Sequence, residues 1–307
     1  MATPRLPSPA AASWDTLYPF RSRYLTIGGY RYHYLDEGQG PVLLMVHGNP
    51  TWSFYWRNLI RAFRSRYRVV APDHIGCGLS DKPAAGSYPY RLARRIADLA
   101  HLIEELDLSE ITLVGHDWGG SIGMGTAVAL PDRFSRFVLM NTAAFRSTRI
   151  PLRIRVCRTP VLGRVGVQGF NLFAGAALRM AVCRHERMTP AVRAGLLAPY
   201  HSWKNRTAVY QFVLDIPLGP QHPSYPVLLE IESGLSRFSR HPACFFWGMK
   251  DWCFTPKFLD RFLEFFPDAQ VHPLPEAGHY VVEDAHEEII PRLQEFLAST
   301  PSATTTT

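Results

Sequence analysis

The run Leu113-Val114-Gly115-His116-Asp117-Trp118-Gly119-Gly120 constrains this chain more than any other stretch of it. The apolar residues that lead into it read as a buried strand, the glycines permit a tight turn, and the small, apolar residues that follow read as a helix. A strand, a sharp turn and a helix in that order lift the apex residue above a sheet, where backbone N–H groups converge beside it. The apex residue here is Asp117, which makes it the candidate nucleophile. A carboxylate is ionised near neutral pH and attacks an electrophilic carbon without a base to activate it, forming a covalent ester. A histidine elsewhere must then activate the water that releases such an ester.

Strand signals surround this turn at residues 24–27, 30–36, 42–46, 68–71, 111–114, 137–140, 244–247 and 270–272. The later ones are continuous apolar runs, as strands covered on both faces require. Helical spacing falls between them at 56–63, 92–106, 121–130, 257–265 and 287–297. This alternation predicts an α/β fold, a mostly parallel eight-stranded sheet with helices on both faces and an antiparallel lead-in. From 142 to 240 it gives way to a Pro-, Gly- and Arg-punctuated stretch with helical apolar spacing. We read 21–141 and 241–298 as one main domain and 142–240 as a helical cap over the C-terminal edge of the sheet, where open α/β folds place their ligands. Residues 1–20 and the threonine-rich tail 299–307 read as disordered.

At 307 residues and 47% hydrophobic content the chain can bury a full core. No segment has the apolar length of a membrane span and no secretory pattern opens it, so the expected location is the cytoplasm. Five cysteines, an odd number without a C-x-x-C pair, argue against a disulfide framework and a zinc site. With no H-E-x-x-H either, neither metal nor other cofactor is expected. The net charge of +7 is unevenly spread: between Arg146 and Arg206 stand twelve Lys or Arg and one acid, Glu186, while the remainder is net acidic. No nucleic-acid-binding motif accompanies this charge, and an acidic membrane surface or the acidic face of a partner enzyme would suit it.

Three further motifs sit at strand ends. His47-Gly48-Asn49-Pro50 can aim the Asn49 backbone N–H and side-chain amide at the space above Asp117, as an oxyanion or leaving-group site. Trp118 offers a single indole N–H on an apolar body, suited to a weakly hydrated leaving group. Asp251, after the apolar run Phe245-Phe246-Trp247-Gly248, can orient an imidazole, and His279 in Glu276-Ala277-Gly278-His279-Tyr280 is the natural general base. His33, His116 and His201 read as structural or surface residues, with His116 pointing away from the pocket because neighbours on a strand alternate faces.

The order Asp117, Asp251, His279 is the nucleophile, acid, base order of α/β-hydrolases. Over residues 20–298 the chain resembles that superfamily and, within it, the haloalkane dehalogenase-like group. His47-Gly48-Asn49-Pro50 resembles the dehalogenase oxyanion loop, where related epoxide hydrolases carry an aromatic residue in place of Asn49. Gly115-His116-Asp117-Trp118-Gly119-Gly120 resembles the elbow of both families, whereas fluoroacetate dehalogenases usually carry arginine in place of Trp118. By resemblance, Asp117 is the nucleophile, Asn49 and Trp118 hold the leaving group, their N–H groups form the oxyanion hole, and Asp251 and His279 complete the triad. One subfamily places its acid after the preceding sheet strand, but Asn141 and Thr142 stand there in this chain.

Pro72–Pro83 and Asn141-Thr142-Ala143-Ala144-Phe145 look like the third dehalogenase subfamily, which also contains the β-lactone decarboxylases of bacterial long-chain olefin biosynthesis. The long apolar stretch from Arg158 to Met188 looks closest to those decarboxylases. The resemblance therefore implies conversion of a cis-dialkyl β-lactone to a cis-alkene and carbon dioxide, with hydrolysis of a haloalkane to alcohol and halide as the alternative. Its implied partners are a small apolar substrate and other enzymes of olefin biosynthesis. A receptor that binds without turnover is a third reading, opposed by the complete set of catalytic residue types.

Overall fold

The computed structural model describes residues 13–300. The sheet strands are β1 (Arg23–Ile27), β2 (Tyr30–Glu37), β3 (Val42–Val46), β4 (Arg68–Pro72), β5 (Ile111–Asp117), β6 (Phe134–Thr142), β7 (Ala243–Gly248) and β8 (Gln270–Leu274). They form one sheet in the order β1-β2-β4-β3-β5-β6-β7-β8, antiparallel from β1 to β4 through β2 and parallel thereafter. The helices are α1 (Arg57–Phe63), α2 (Leu92–Glu105), α3 (Trp118–Ala129), α4 (Leu152–Cys157), α5 (Leu162–Arg164), α6 (Leu172–Met180), α7 (Pro190–Leu197), α8 (Thr207–Leu214), α9 (Tyr225–Gly234), α10 (Pro256–Phe265) and α11 (Val281–Ser299).

Every residue of β3 and of β5 is buried, the signature of strands with helices on both faces. Alternate side chains feed two cores. Leu43 and Met45 pack with α1 and α11 on one face, and Leu44 and Val46 pack with α2 and α10 on the other. In α2, Leu92, Leu99, Leu102 and Ile103 repeat at helical spacing and all are buried. A buried bidentate pair joins α1 to α11, Arg57 to Glu283 at 2.5 and 2.7 Å.

The α/β expectation and the mixed sheet hold, while several bounds move. The elbow helix begins at once after Asp117, and α11 starts earlier than 287 because two helical pieces meet across non-helical Ala285. Residues 13–20 are ordered, contrary to the expectation of a disordered start. Trp14–Leu17 form a 3-10 turn, and Tyr18 is buried beside Trp52, its ring 5.0 Å away, with its hydroxyl 2.5 Å from Ser53 Oγ. Three aromatic side chains, Trp14, Tyr18 and Phe20, packed together are the physical reason. At the other end Ser299 closes α11 and the Thr300 carbonyl accepts from Arg136. Residues 1–12 and 301–307 of the two predicted tails lie outside the described residues.

Helices α4 to α8 lie between β6 and β7 in sequence. Helix α9 follows them, and its Leu228 and Ile231, with Leu235 and Phe238 just after it, share a core with Leu44, Leu113 and Phe137. Asp215, just after α8, ties the insert down by accepting from Leu92 N at 2.7 Å at the start of α2 and from Ser224 Oγ at 2.6 Å.

Candidate active site

Asp117 ends β5 and opens α3 with φ 52° and ψ −129°, a backbone conformation that bulky residues avoid. Residues without side chains make it fit. A methyl group on Gly48 would stand 2.1 Å from Asp117 Oδ1, and one on Gly119 would stand 1.9 Å from the Val46 carbonyl oxygen. Asp117 Oδ1 accepts the Asn49 backbone N–H at 2.6 Å, and the Trp118 backbone N–H also supports the charged carboxylate. Thr142 Oγ1 donates to the Asp117 carbonyl, holding the turn from β6.

Asp117 Oδ2 faces His279 Nε2 at 3.7 Å, and His279 Nδ1 lies 2.8 Å from Asp251 Oδ2. All three side chains are buried. Burial raises the Asp117 carboxyl above the ordinary carboxylate range, against His279 and the two N–H groups that favour its ion. Burial alone would lower His279, but the adjacent Asp251 carboxylate, then Asp117, hold its imidazole above the ordinary range. Asp251 Oδ1 accepts from Cys253 N at 2.6 Å, which leaves Oδ2 aimed at the ring.

The two leaving-group candidates differ in placement. Trp118 lies over Phe212 of α8, ring centroids 5.4 Å apart, and lines the cavity above Asp117. Asn49 lines the same cavity, but its Nδ2 donates to the Val209 carbonyl of α8 at 3.1 Å. An amide nitrogen carries two protons, so one remains for a ligand. All five predicted site residues thus reach one space or each other across four strand ends.

Sequence reasoning passed over three positioning groups. Asn141 donates from Nδ2 to the Gly248 carbonyl at 3.1 Å and accepts from Gly248 N at 2.7 Å, clamping the end of β7 that leads to Asp251. His116 does avoid the cavity lining, yet its Nε2 sits 2.8 Å from the His279 carbonyl, under a stacked Tyr55. Burial and the neighbouring His279 push its imidazole well below the usual range, so it is a neutral donor there. Asp284, fully buried, accepts from Gly278 N at 2.7 Å and from Arg184 N at 2.9 Å, fastening the His279 loop to the insert. These roles are not written in a local pattern, because each group holds backbone that lies about a hundred residues or more away in sequence.

The cavity has a volume of about 540 Å³ and extends from Asp117, Asn49, Trp118 and His279 upward between apolar side chains of the insert, including Ile154, Phe173, Ala177 and Val213. Among the described residues no cluster of His, Cys, Asp or Glu could hold a metal ion, and no helix is long and apolar enough to cross a membrane. The arrangement sets a buried carboxyl, two backbone N–H groups, an indole and an imidazole paired with a second carboxyl together beneath apolar walls, a set of groups suited to nucleophilic attack and to holding a developing anion.

Residues 41–156 match the family model for the α/β-hydrolase fold. A protein of Shewanella oneidensis named cis-3-alkyl-4-alkyloxetan-2-one decarboxylase is 44% identical over 295 residues, 95% of this chain and 92% of its own length. Haloalkane dehalogenase 2 of Mycobacterium bovis is 33% identical over 89% of this chain and 93% of its own. Among solved structures, a haloalkane dehalogenase from Bradyrhizobium elkani superposes with a TM-score of 0.82 at 25% identity, covering 92% of this chain and 98% of that one.

Proposed function

The chain belongs to the haloalkane dehalogenase-like branch of the α/β-hydrolases, and we propose that within it the protein is a β-lactone decarboxylase, converting cis-3-alkyl-4-alkyloxetan-2-ones to cis-alkenes and carbon dioxide. The observation that carries this reading is the cavity of about 540 Å³, apolar along the insert and opening onto Asp117, whose Oδ2 faces His279. Two alkyl chains on a small polar ring match such a space better than a small haloalkane does.

Asp117 Oδ2 attacks the ring carbon that bears the lactone oxygen, whose C–O bond breaks with its electron pair staying on oxygen. The new carboxylate forms beside the indole N–H of Trp118 and the remaining N–H of Asn49. The bond from that carboxylate to its neighbouring carbon then breaks, carbon dioxide leaves, and the released pair forms the alkene as the alkyl–Asp117 bond opens. Asp117 returns as a carboxylate, and no water, oxidant or reductant is consumed. Inversion in the first step followed by anti elimination converts cis ring substituents into a cis-alkene. His279, held toward its cation by Asp251 and Asp117, offsets the charge that Asp117 regains.

The cytoplasmic placement suits five cysteines that all remain free. Because a dialkyl lactone is poorly soluble, direct hand-over from the enzymes that make it, by assembly with them or through a shared lipid surface, fits this chemistry.

Purified protein given a cis-dialkyl β-lactone and, separately, a bromoalkane tests the reading. Alkene from the lactone with little halide from the bromoalkane is the expected result. Halide release with an inert lactone would make the protein a dehalogenase, in which His279 drives water onto an alkyl-Asp117 ester.

A further inference from the structure

Large apolar side chains are seldom left in water in clusters unless something covers them. Among the described residues eleven are exposed, and nine of these lie between Leu152 and Trp203. Six are more than half exposed: Leu152 at 72%, Val156 at 52%, Val161 at 72%, Leu162 at 76%, Phe170 at 74% and Leu172 at 60%. Exposed arginines alternate with them from Arg149 to the end of α6. Of these Arg149, Arg153, Arg155, Arg164 and Arg179 form no ion pair with any acid among the described residues. Outside residues 146–206 the chain is net acidic, so the excess of positive charge and the exposed apolar side chains fall in the same part of the molecule.

The same face holds the way in. Val156, Leu172, Met180, Arg149 and Arg153 are exposed and also line the cavity above Asp117. The mouth of the cavity is therefore rimmed by apolar side chains and set among arginines that have no acid partner among the described residues. A protein partner would be expected to bring acids matched to particular arginines. A rim whose charges are spread around protruding aliphatic and aromatic tips fits an anionic bilayer, into which the tips insert while the arginines stay at the headgroups.

We infer that the outer face of the insert, from Arg149 to Met180 with Trp203, docks on an anionic phospholipid surface and turns the cavity mouth toward the lipid, from which an apolar substrate enters without crossing water. The inference rests on the reading that the substrate is apolar. Vesicle binding, however, is measured without substrate, so its failure and the failure of that reading are separate results.

The full-length protein is sedimented with phosphatidylcholine vesicles and with vesicles that also contain phosphatidylglycerol, at low and high salt. Binding to the anionic vesicles that falls as salt rises is expected. In Arg155→Glu/Arg164→Glu, removing attraction to anionic headgroups weakens binding at least about fivefold per charge. In Leu162→Ser/Phe170→Ser, binding falls even at low salt. None of these four side chains lines the cavity, so turnover of a short-chain, water-soluble substrate without vesicles stays at the level of the parent protein and shows that the variants fold. Equal binding to neutral vesicles, no binding to either, or binding untouched by both double variants would overturn the inference. So would self-association that the same variants abolish in the absence of vesicle binding, since the face would then belong to a second copy of the chain.

Discussion

The strand-end loops and the helices of the insert enclose the same cavity, yet they are built in opposite ways. At the strand ends the groups around the reacting atoms are held by polar contacts that set their direction: Asp117 by the Asn49 N–H, His279 by Asp251, the His279 carbonyl by His116, and Gly248 by Asn141. The insert has short helices, with α4, α6 and α8 at the cavity only six to nine residues long, and several of its largest side chains face outward. Displacing a reacting group by about 1 Å costs on the order of a hundredfold in rate, so the reacting atoms need the first kind of construction. A wall that only has to be apolar tolerates the second. The chemistry therefore belongs to the sheet edge and the choice of substrate to the insert, and the two should respond differently to substitution.

The largest effect is expected at the elbow. Asp117→Asn keeps the shape of the side chain and removes the nucleophilic charge, and kcat for lactone or haloalkane should fall by at least about 10⁴-fold. Thermal unfolding of the variant should be close to that of the parent protein, because burial disfavours the charge in the first place. An active Asp117→Asn protein would remove the sheet edge from the chemistry altogether.

Next in size is a contrast in stability. Arg57→Leu strands Glu283 in a site where both side chains are almost fully buried, and it should cost about 3–5 kcal/mol in denaturant unfolding. Arg155→Ala, on the exposed face of the insert, should stay within about 0.5 kcal/mol. Comparable losses at the two positions would mean that the insert is as tightly determined as the sheet.

How much of this was legible beforehand follows the same division. The parallel strands were legible because burial on both faces writes continuous apolar runs such as Val42–Val46, and the elbow because only small residues tolerate its neighbours. The motif residues Asn49, Asp117, Trp118, Asp251 and His279 each sit at or just after a strand end, and the structure brings four of them to one cavity, with Asp251 behind His279. The insert was not legible in detail, since helices such as α6, with sequence LFAGAALRM, carry apolar residues on inner and outer faces alike and blur the helical period. The clamping roles of Asn141 and Asp284 were not legible for another reason: the backbone they hold, at Gly248 and at Arg184, is about a hundred residues away.

The pH dependence sharpens the comparison at the sheet edge, because its sign reports which chemistry the edge performs. His279 is held above the ordinary imidazole range chiefly against burial by Asp251. Decarboxylation uses the cation opposite Asp117, so its rate should fall as pH rises through that raised value. Hydrolysis of an alkyl ester uses the neutral imidazole as base, so its rate should rise over the same interval. Asp251→Asn removes the charge that raises His279, and the limb should move to lower pH for either reaction. A limb that stays in place would show that another group titrates.

The smallest effect should come from the insert, and it is the most selective. Leu172 is 60% exposed and lines the cavity mouth, so Leu172→Trp adds bulk where the end of a long chain would lie, without disturbing a packed core. Each methylene that the larger side chain displaces from the apolar wall should weaken binding by about 0.8 kcal/mol, roughly fourfold in KM. The effect should appear for long-chain substrates and be absent for short ones, while kcat holds, because the indole added at the rim is remote from the groups that position Asp117. A kcat that fell for every chain length would mean that the insert transmits strain to the elbow, most directly through the Asn49–Val209 contact at 3.1 Å. The division between a rigid edge and a permissive wall would then have to be given up.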